Sequence, residues 1–308
     1  MDIAVLSGAK YSDIDAYACA ISYAKLLSLS GFNSQPFLAP LNYSIPKIVK
    51  SLGATYYKLD SFNDYPKRGF VLVDVSDPNY FPDFVHEPDV IEVWDHRLGY
   101  EEYWRDLIGD KSFIEPVGAC ATLIYEEWER ANRLNSLDPI TASLLQTAIL
   151  SNTLNFNSYV TTDRDKKAYK ELSVLSKLSD NWPYIYFGSV QNFISQLPLN
   201  ELVKKDSKFM SFGPFKKVFI FQLELYSAYD YIKNIGYDNL IKEVKKQAKN
   251  HSFLITIPSI SDKHNIVFTS NSKIKDFLIK HFGVVFNNNV MGFSSRIFLR
   301  KELLMISR

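Results

Sequence analysis

The stretch Val90-Ile91-Glu92-Val93-Trp94-Asp95-His96-Arg97 is a short, largely apolar strand that ends in a carboxylate, an imidazole and a guanidinium. Similar strand ends occur twice earlier: Asp13-Ile14-Asp15 follows the apolar run 3–6, and Asp74 ends the run 70–73. In an open α/β sheet, ligands bind outside the carboxyl ends of the strands. Carboxylate oxygens and imidazole nitrogens are ligands for divalent cations. The three strand ends together predict a metal site at this edge.

Each of these clusters, taken alone, has an ordinary structural explanation. Asp13 and Asp15 could cap a helix, because carboxylates satisfy the free N–H groups of its first turn. Asp74 could be a turn residue at a strand end, and Asp95-His96 could be a hydrogen-bonded pair that orients a loop. Their joint occurrence at successive strand ends favours metal binding, with an acidic neighbour fixing the tautomer of the histidine.

Size and composition indicate a globular protein with one large domain or two ordinary ones. The chain has 308 residues, of which 46% are hydrophobic and 22% charged, which is enough for a sizeable core. A net charge of +1 gives no strong indication of a nucleic-acid partner. The sequence has no signal-peptide pattern and no apolar run of roughly 20 residues, so we expect a cytoplasmic protein with no membrane partner. Cys19 and Cys120 lie in apolar, helix-like contexts, which favours buried free thiols over a disulfide.

The periodicity of the first half predicts an α/β domain, in which a mostly parallel, doubly wound sheet is covered by helices. The second half predicts a smaller α+β domain with a mixed sheet. We expect the first domain to span residues 1–186 and the second to span 187–308. The predicted strands are 3–7, 35–39, 54–59, 69–74, 89–94, 217–222, 252–257, 265–270 and 295–300, and the predicted helices are 13–29, 44–52, 118–132, 138–150, 163–178, 189–196 and 229–250.

Four segments resemble, in order and spacing, the motifs of the DHH phosphoesterase superfamily. Residues 8–15, Gly-Ala-Lys-Tyr-Ser-Asp-Ile-Asp, resemble the first motif, Gly-His-x-x-x-Asp-x-Asp. Val73-Asp74 resembles the second motif, and Asp95-His96-Arg97 resembles the third, Asp-His-His. Ser151-Asn152-Thr153-Leu154 is similar to the fourth, Ser-Asp-Thr-Leu. The second half resembles a DHHA2-type domain, which points to the branch of family II manganese-dependent inorganic pyrophosphatases, exopolyphosphatases and prune-like proteins.

This resemblance implies a metal-dependent phosphohydrolase that acts on a small phosphorylated substrate, either a phosphoanhydride or a phosphate ester. The active site would lie in the cleft between the domains and use Mn²⁺, or Mg²⁺ or Co²⁺, and a homodimer is compatible with the family. The positions that match metal ligands are Asp13, Asp15, Asp74 and His96, with Asn152 at the fourth motif. The expected catalytic set is Asp13, Asp74, Asp95, His96 and Arg97. In the second half, Lys208 and Arg296 match phosphate-binding positions.

The chain departs from the family motifs at three positions. Ala9 stands where the first motif has His, Arg97 replaces the second His of the third motif, and Asn152 replaces the Asp of the fourth. Fewer carboxylates beside a fixed positive charge favour one bound ion over two, since affinity depends on ligand charge. One hypothesis is that Lys10 and Arg97 partly substitute for the missing ion and bind phosphate directly. The alternative is that both side chains point to solvent or pair with Asp13.

Two other functions remain open from the sequence. A catalytically impaired relative would bind a phosphorylated ligand or a protein partner. A nuclease or a cyclic-dinucleotide phosphodiesterase of the same superfamily would carry a Gly-Gly-His motif in its second domain, and this sequence has none. Of the three departures, Asn152 is the one that most threatens catalysis.

Overall fold

The computed structural model describes residues 2–64, 69–287 and 289–306. The chain divides into two compact units: Met1–Phe156 with Val160–Tyr186, and Phe187–Arg308 with Asn157–Tyr159. Each unit has its own six-stranded sheet and its own hydrophobic core. Neither described cysteine forms a disulfide, and both are buried, as the sequence predicts.

The first unit is built on a parallel sheet, which confirms the expected α/β class. Every strand pair in its described residues runs parallel, and the spatial order is β3-β2-β1-β4-β5-β6. The strands are β1 Asp2–Leu6, β2 Asn33–Leu38, β3 Tyr57–Lys58, β4 Gly69–Val73, β5 Val90–Asp95 and β6 Ser112–Ile114.

The helices of the first unit cover this sheet. The long helix α1 is buried along most of its length and packs against α4 and α5. The helices are α1 Ile14–Leu29, α2 Lys47–Lys50, α3 Glu101–Ile108, α4 Cys120–Arg130, α5 Pro139–Asn152, α6 Asp163–Leu175 and α7 Trp182–Ser195. The last of them contains the boundary between the units.

The strand order places the predicted ligand clusters together. β1 pairs with β2 on one side and with β4 on the other, so the chain order reverses between β1 and β4. Such a switch point opens a crevice at the carboxyl ends of the strands, where open α/β sheets bind ligands. β4 is buried along its whole length, as expected for a central strand covered on both faces. The residues that follow β1, β4 and β5 therefore meet at this edge.

The second unit is α+β, with the mixed sheet that the sequence predicts. β8 and β9 are parallel, and the other pairs are antiparallel, in the order β11-β12-β10-β9-β8-β7. The strands are β7 Ser207–Phe212, β8 Phe215–Gln222, β9 Phe253–Ser259, β10 His264–Phe268, β11 Val285–Phe286 and β12 Met291–Ser294. The helices are α8 Leu199–Asp206, α9 Ala228–Ile235, α10 Tyr237–Ala248, α11 Ser272–Phe282 and α12 Arg300–Met305.

Two predicted elements of the second unit are wrong. The helix expected over 229–250 is two helices, because Gly236 adopts a φ of 78° between α9 and α10. The strand expected over 295–300 is a connection between β12 and α12, in which residues 297–299 are buried. At its end, the N–H of Leu299 donates to Glu302 Oε1 at 2.9 Å, which starts a helix where the apolar sequence suggested a strand.

None of the helices in the described part of the chain is both long and apolar enough to cross a membrane.

Candidate metal centre

Asp13 starts helix α1. Its Oδ1 accepts hydrogen bonds from the N–H groups of Asp15 at 3.1 Å and Ala16 at 3.0 Å, which are free donors of the first turn. The helix-cap explanation is therefore correct for this side chain. Asp13 is partly buried, and its negative charge acts on the carboxyl groups of Asp15 and Asp74.

Asp15 joins the start of α1 to the start of α4. Its Oδ2 accepts from the N–H of Cys120 at 2.8 Å and its Oδ1 from the N–H of Ala121 at 2.9 Å. A carboxylate has about four acceptor positions, and the Cys19 thiol donates to a third at 3.4 Å. Burial, with Asp13 nearby, raises the pKa of Asp15 to about 7, although the two N–H groups of α4 oppose the shift. Asp15 therefore keeps one acceptor position for a cation that would favour its ionised form.

Asp74 ends β4 in an unusual backbone conformation. Its φ of 53° lies in the left-handed region, which is costly for a residue other than glycine. Nη2 of Arg97 donates to Asp74 Oδ1 at 2.6 Å and also to the Asp74 carbonyl oxygen. Burial raises the pKa of Asp74 well above its ordinary value; Arg97 opposes this shift, whereas Asp13, Asp15 and Asp95 reinforce it. Four carboxylates close together favour a bound cation.

Asp95 organises the loop after β5. Its Oδ1 accepts from the N–H of His96 at 2.8 Å, the N–H of Arg97 at 3.2 Å and Nε of Arg97 at 3.1 Å. Its Oδ2 accepts from the Ser76 hydroxyl at 2.7 Å. These donors use about all the acceptor positions of a carboxylate. Asp95 therefore fixes the neighbouring side chains and has little capacity left for a metal.

His96 is oriented as a metal ligand through Nε2. Its Nδ1 lies 3.1 Å from the carbonyl oxygen of Val117, which can only accept, so we assign the proton to Nδ1. The lone pair then lies on Nε2, 3.6 Å from Asp74 Oδ1. A histidine held this way has the tautomer and ring orientation that metal ligation requires.

The three side chains that come together are Asp15, Asp74 and His96. Each offers one ligand atom, and these atoms lie within 4.8 Å of one another. They follow β1, β4 and β5, whose order in the sheet brings their carboxyl ends to the switch point. Two carboxylate oxygens and one imidazole nitrogen suit a divalent cation such as Mn²⁺. The donor set fits one ion that completes its shell with water or substrate.

Three other predicted residues lie outside this group, and their roles stay predictions. Lys10 is exposed in the loop before α1. Asn152 is the last residue of α5, and its amide nitrogen donates to the carbonyl oxygen of Ala148 at 3.4 Å. Asp13 contributes charge as described above.

The segment 117–121 connects these residues, a role that the sequence did not indicate. Within it, the carbonyl of Val117 holds His96, and the N–H of Gly118 donates to both oxygens of Asp165, at 2.9 and 3.0 Å. A Cβ on Gly118 would lie 2.7 Å from Thr153 and 2.8 Å from Asp165, so only glycine fits. Two features of the sequence could have indicated this role. They are Gly118 and Thr162, which forms a capping box with Asp165 at the start of α6.

The predicted phosphate-binding residues of the second unit have local partners. Nη1 of Arg296 donates to Glu302 Oε2 at 2.8 Å, and its guanidinium lies 5.3 Å from the ring centre of Phe282. Lys208 is in β7, where partial burial lowers its pKa and the nearby Arg300 adds to the effect. Their roles in substrate binding stay predictions.

Comparison with known proteins gives full-length relatives. No family model matches the chain. The manganese-dependent inorganic pyrophosphatase of Bacillus subtilis is 26% identical over an alignment that covers 99% of this chain and 98% of the relative. The manganese-dependent inorganic pyrophosphatase of Methanothrix thermoacetophila is 24% identical, over an alignment that covers 96% of this chain and 94% of the relative. The chain is therefore similar over nearly its whole length to manganese-dependent inorganic pyrophosphatases, in agreement with the resemblance of its motifs.

Two solved structures share the fold of this chain. A Methanococcus jannaschii protein assigned to the family II inorganic pyrophosphatases has a TM-score of 0.68 and 22% identity, and the match covers 99% of this chain and 98% of that one. An exopolyphosphatase-related protein of Bacteroides fragilis has a TM-score of 0.53 and 12% identity, with 99% and 90% covered. The chain therefore shares its two-unit α/β and α+β fold with these two solved structures.

Proposed function

We propose that this chain is a metal-dependent phosphohydrolase that cleaves phosphoanhydride bonds or small phosphate esters. The observation that carries the proposal is the convergence of Asp15, Asp74 and His96 within 4.8 Å at the switch point of the parallel sheet. The full-length relatives named as manganese-dependent pyrophosphatases support Mn²⁺ as the ion and pyrophosphate as the first substrate to test.

We propose one resident ion rather than two. The guanidinium of Arg97 is bonded to Asp74 Oδ1 at 2.6 Å, so a fixed positive charge already lies against the ligand that a second ion would need. Asp95 has little acceptor capacity to spare, and Asn152 brings no charge. When bound, the ion supplies Lewis acidity towards a phosphoryl oxygen and makes water a stronger nucleophile.

In this proposal Arg97 binds the phosphoryl group. Half of its side chain is exposed. Nε and Nη2 are held by Asp95 and Asp74, whereas Nη1 makes no hydrogen bond within the described part of the chain. An oriented guanidinium with a free N–H edge can donate to a phosphate oxygen and stabilise the charge that develops on it. Asp95 fixes this orientation, and Val117 fixes His96.

A substrate panel tests the proposal. Pyrophosphate, tripolyphosphate and nucleotides are each incubated with the protein and Mn²⁺, Mg²⁺ or Co²⁺, and phosphate release is measured. We expect turnover that needs the metal and falls at least about a hundredfold in Asp15→Asn and His96→Ala, which remove ligands. Asp106→Asn, an exposed carboxylate of α3, is the matched control and should leave the rate unchanged. Metal-dependent turnover that survives both ligand substitutions would refute this site.

A catalytically impaired phosphate-binding protein is the second candidate. The observation that favours it is again Arg97, which partly neutralises Asp74 and so weakens the hold on any ion. This candidate predicts no turnover in the whole panel together with saturable binding of pyrophosphate that Arg97→Gln weakens. Further parts of the proposal are that Lys208 and Arg296 contact the substrate phosphates and that the protein acts in the cytoplasm.

A further inference from the structure

The second unit contains a cavity of about 650 Å³ that the proposed phosphohydrolase activity does not use. Its walls come from the turn before β8 and the start of that strand, from the loop 250–252 before β9, and from the first turns of α11. Its size falls within the range of about 300–1,000 Å³ that is usual for organic ligands.

The charges around the cavity suit an anion. Lys216, Lys217 and Lys273 line it, and Asp276 is its one lining carboxylate. Among the described residues, none of the three ammonium groups has a carboxylate within 4.0 Å, although other lysines of the chain form such pairs. Like charges gathered without counter-charges repel one another, and a bound phosphate would relieve that repulsion.

The floor of the cavity is aromatic. Phe215 and Phe277 both line it, and their rings meet edge to face, with centres 5.7 Å apart. Val218 and Pro214 extend this apolar surface. An inorganic anion would not cover the apolar lining of the cavity, whereas a planar base would pack against it. The cavity therefore combines a phosphate-binding rim with a surface for a flat ring.

The backbone around the lysines is strained in a way that supports a binding role. Lys217 adopts a φ of 55°, and β7 carries a register irregularity between Met210 and Phe212, opposite this part of β8. Bulges and left-handed non-glycine residues are costly and are often retained where a side chain must be aimed at a ligand. The ammonium group of Lys217 also lies 5.7 Å from the ring centre of Phe209.

The cavity lies at the start of β8, whereas Lys208, a predicted phosphate binder of this unit, lies beside the other end of that strand. Lys208 pairs with Ile220 near the end of β8, and the N–H of Arg300 donates to Gln222 at that end. Lys216 lies near the start of the strand, and at about 3.4 Å per residue the four steps to Ile220 span about 14 Å. A ligand in the cavity would therefore be separate from one bound at Lys208.

We propose that this cavity is a nucleotide-binding site, distinct from the candidate metal centre, in which the lysines bind the phosphates and the phenylalanines pack against the base. The binding test uses calorimetry on the full chain in EDTA, so that metal-dependent binding elsewhere is suppressed. ADP is the ligand, with adenosine and inorganic phosphate as its parts.

We expect ADP to bind more tightly than either part. The double substitution Lys216→Gln with Lys273→Gln should weaken ADP binding at least about tenfold, because charge-assisted hydrogen bonds are lost. The matched control, Lys233→Gln with Lys242→Gln, removes two exposed lysines of the same unit and should leave the affinity unchanged. Phe215→Leu should weaken the binding of ADP but not the binding of phosphate. His96→Ala should leave ADP binding intact.

Several results would overturn this assignment: no ADP binding at millimolar concentration, equal losses in the two double variants, or loss of binding in His96→Ala. Phosphate that binds as well as ADP would also overturn it, because the aromatic floor would then have no role. Thermal unfolding of every variant shows whether a lost signal reflects lost folding.

Discussion

Replacing Arg97 with Gln tests most directly how the fixed charge affects metal binding. The substitution removes the guanidinium that is bonded to Asp74 Oδ1 at 2.6 Å and keeps a polar side chain. The Coulomb energy of two unit charges at that distance is about 1.6 kcal/mol in water and about 6 kcal/mol at an effective dielectric constant of 20. The side chain of Arg97 is 56% exposed, so solvent screening favours the lower part of this range, about 2–3 kcal/mol.

The ion pair between Arg97 and Asp74 competes with metal binding, because both cations bind the same carboxylate oxygen. We therefore expect Arg97→Gln to tighten Mn²⁺ binding by roughly ten- to a hundredfold. Arg97 also opposes the upward shift in the pKa of Asp74, so its loss makes the carboxyl hold its proton more firmly. The titration should be run at about pH 8, where that proton is more easily displaced by the metal.

Isothermal titration of the metal-free protein with Mn²⁺ measures both affinity and stoichiometry. Arg133→Gln, an exposed arginine before α5, is the matched control and should leave both unchanged. Mn²⁺ affinity that falls or stays the same in Arg97→Gln would refute the reasoning, since Arg97 would then be acting as a support for Asp74 and Asp95 and not as a competitor of the ion.

Three further predictions follow from the site. Asp15 should cost the metal-free protein up to about 4 kcal/mol of stability between pH 4 and 8. Its pKa is raised to about 7 in the folded protein, so the loss begins as the pH rises above the ordinary value of 3.8 and is complete above about 7. Urea unfolding in EDTA should show this loss, and Asp15→Asn should reduce it to the part that the raised pKa of Asp74 contributes in the same direction. Gly118→Ala should lower the free energy of unfolding by about 1–3 kcal/mol, because the new Cβ would lie 2.7 Å from Thr153. The control is Gly188→Ala in a helix with open space around it, which should leave the thermal unfolding temperature unchanged or raise it. Asn152→Asp together with Ala9→His should raise manganese-dependent pyrophosphate hydrolysis; an unchanged rate would count against the alignment of the fourth motif.

Much of the first unit could be predicted because its signals are local. An apolar run followed by carboxylates marks both a central parallel strand and its functional end, so Asp15, Asp74 and His96 could be identified from sequence. Their convergence depends on the strand order, which places β1 beside β4 and β4 beside β5.

The division of roles among the carboxylates could not be predicted, because it depends on contacts between distant residues. Asp15 binds the start of α4, 105 residues later, and Asp95 is saturated by donors that include Ser76 and Arg97. The importance of Asp165 depends on Gly118, 47 residues earlier. In the second unit, the apolar residues 297–299 suggested a strand. They are buried, but Glu302 accepts a hydrogen bond from the N–H of Leu299, and a short helix starts there instead.

In the proposed site, one divalent ion binds between Asp15, Asp74 and His96, with Arg97 in place of a second. Anomalous diffraction at the manganese edge from a crystal soaked in Mn²⁺ counts the ions directly. We expect a single peak within coordination distance of the three ligands, with the Arg97 guanidinium still in contact with Asp74. Two peaks bridged by Asp74, or no peak among these three side chains, would contradict it.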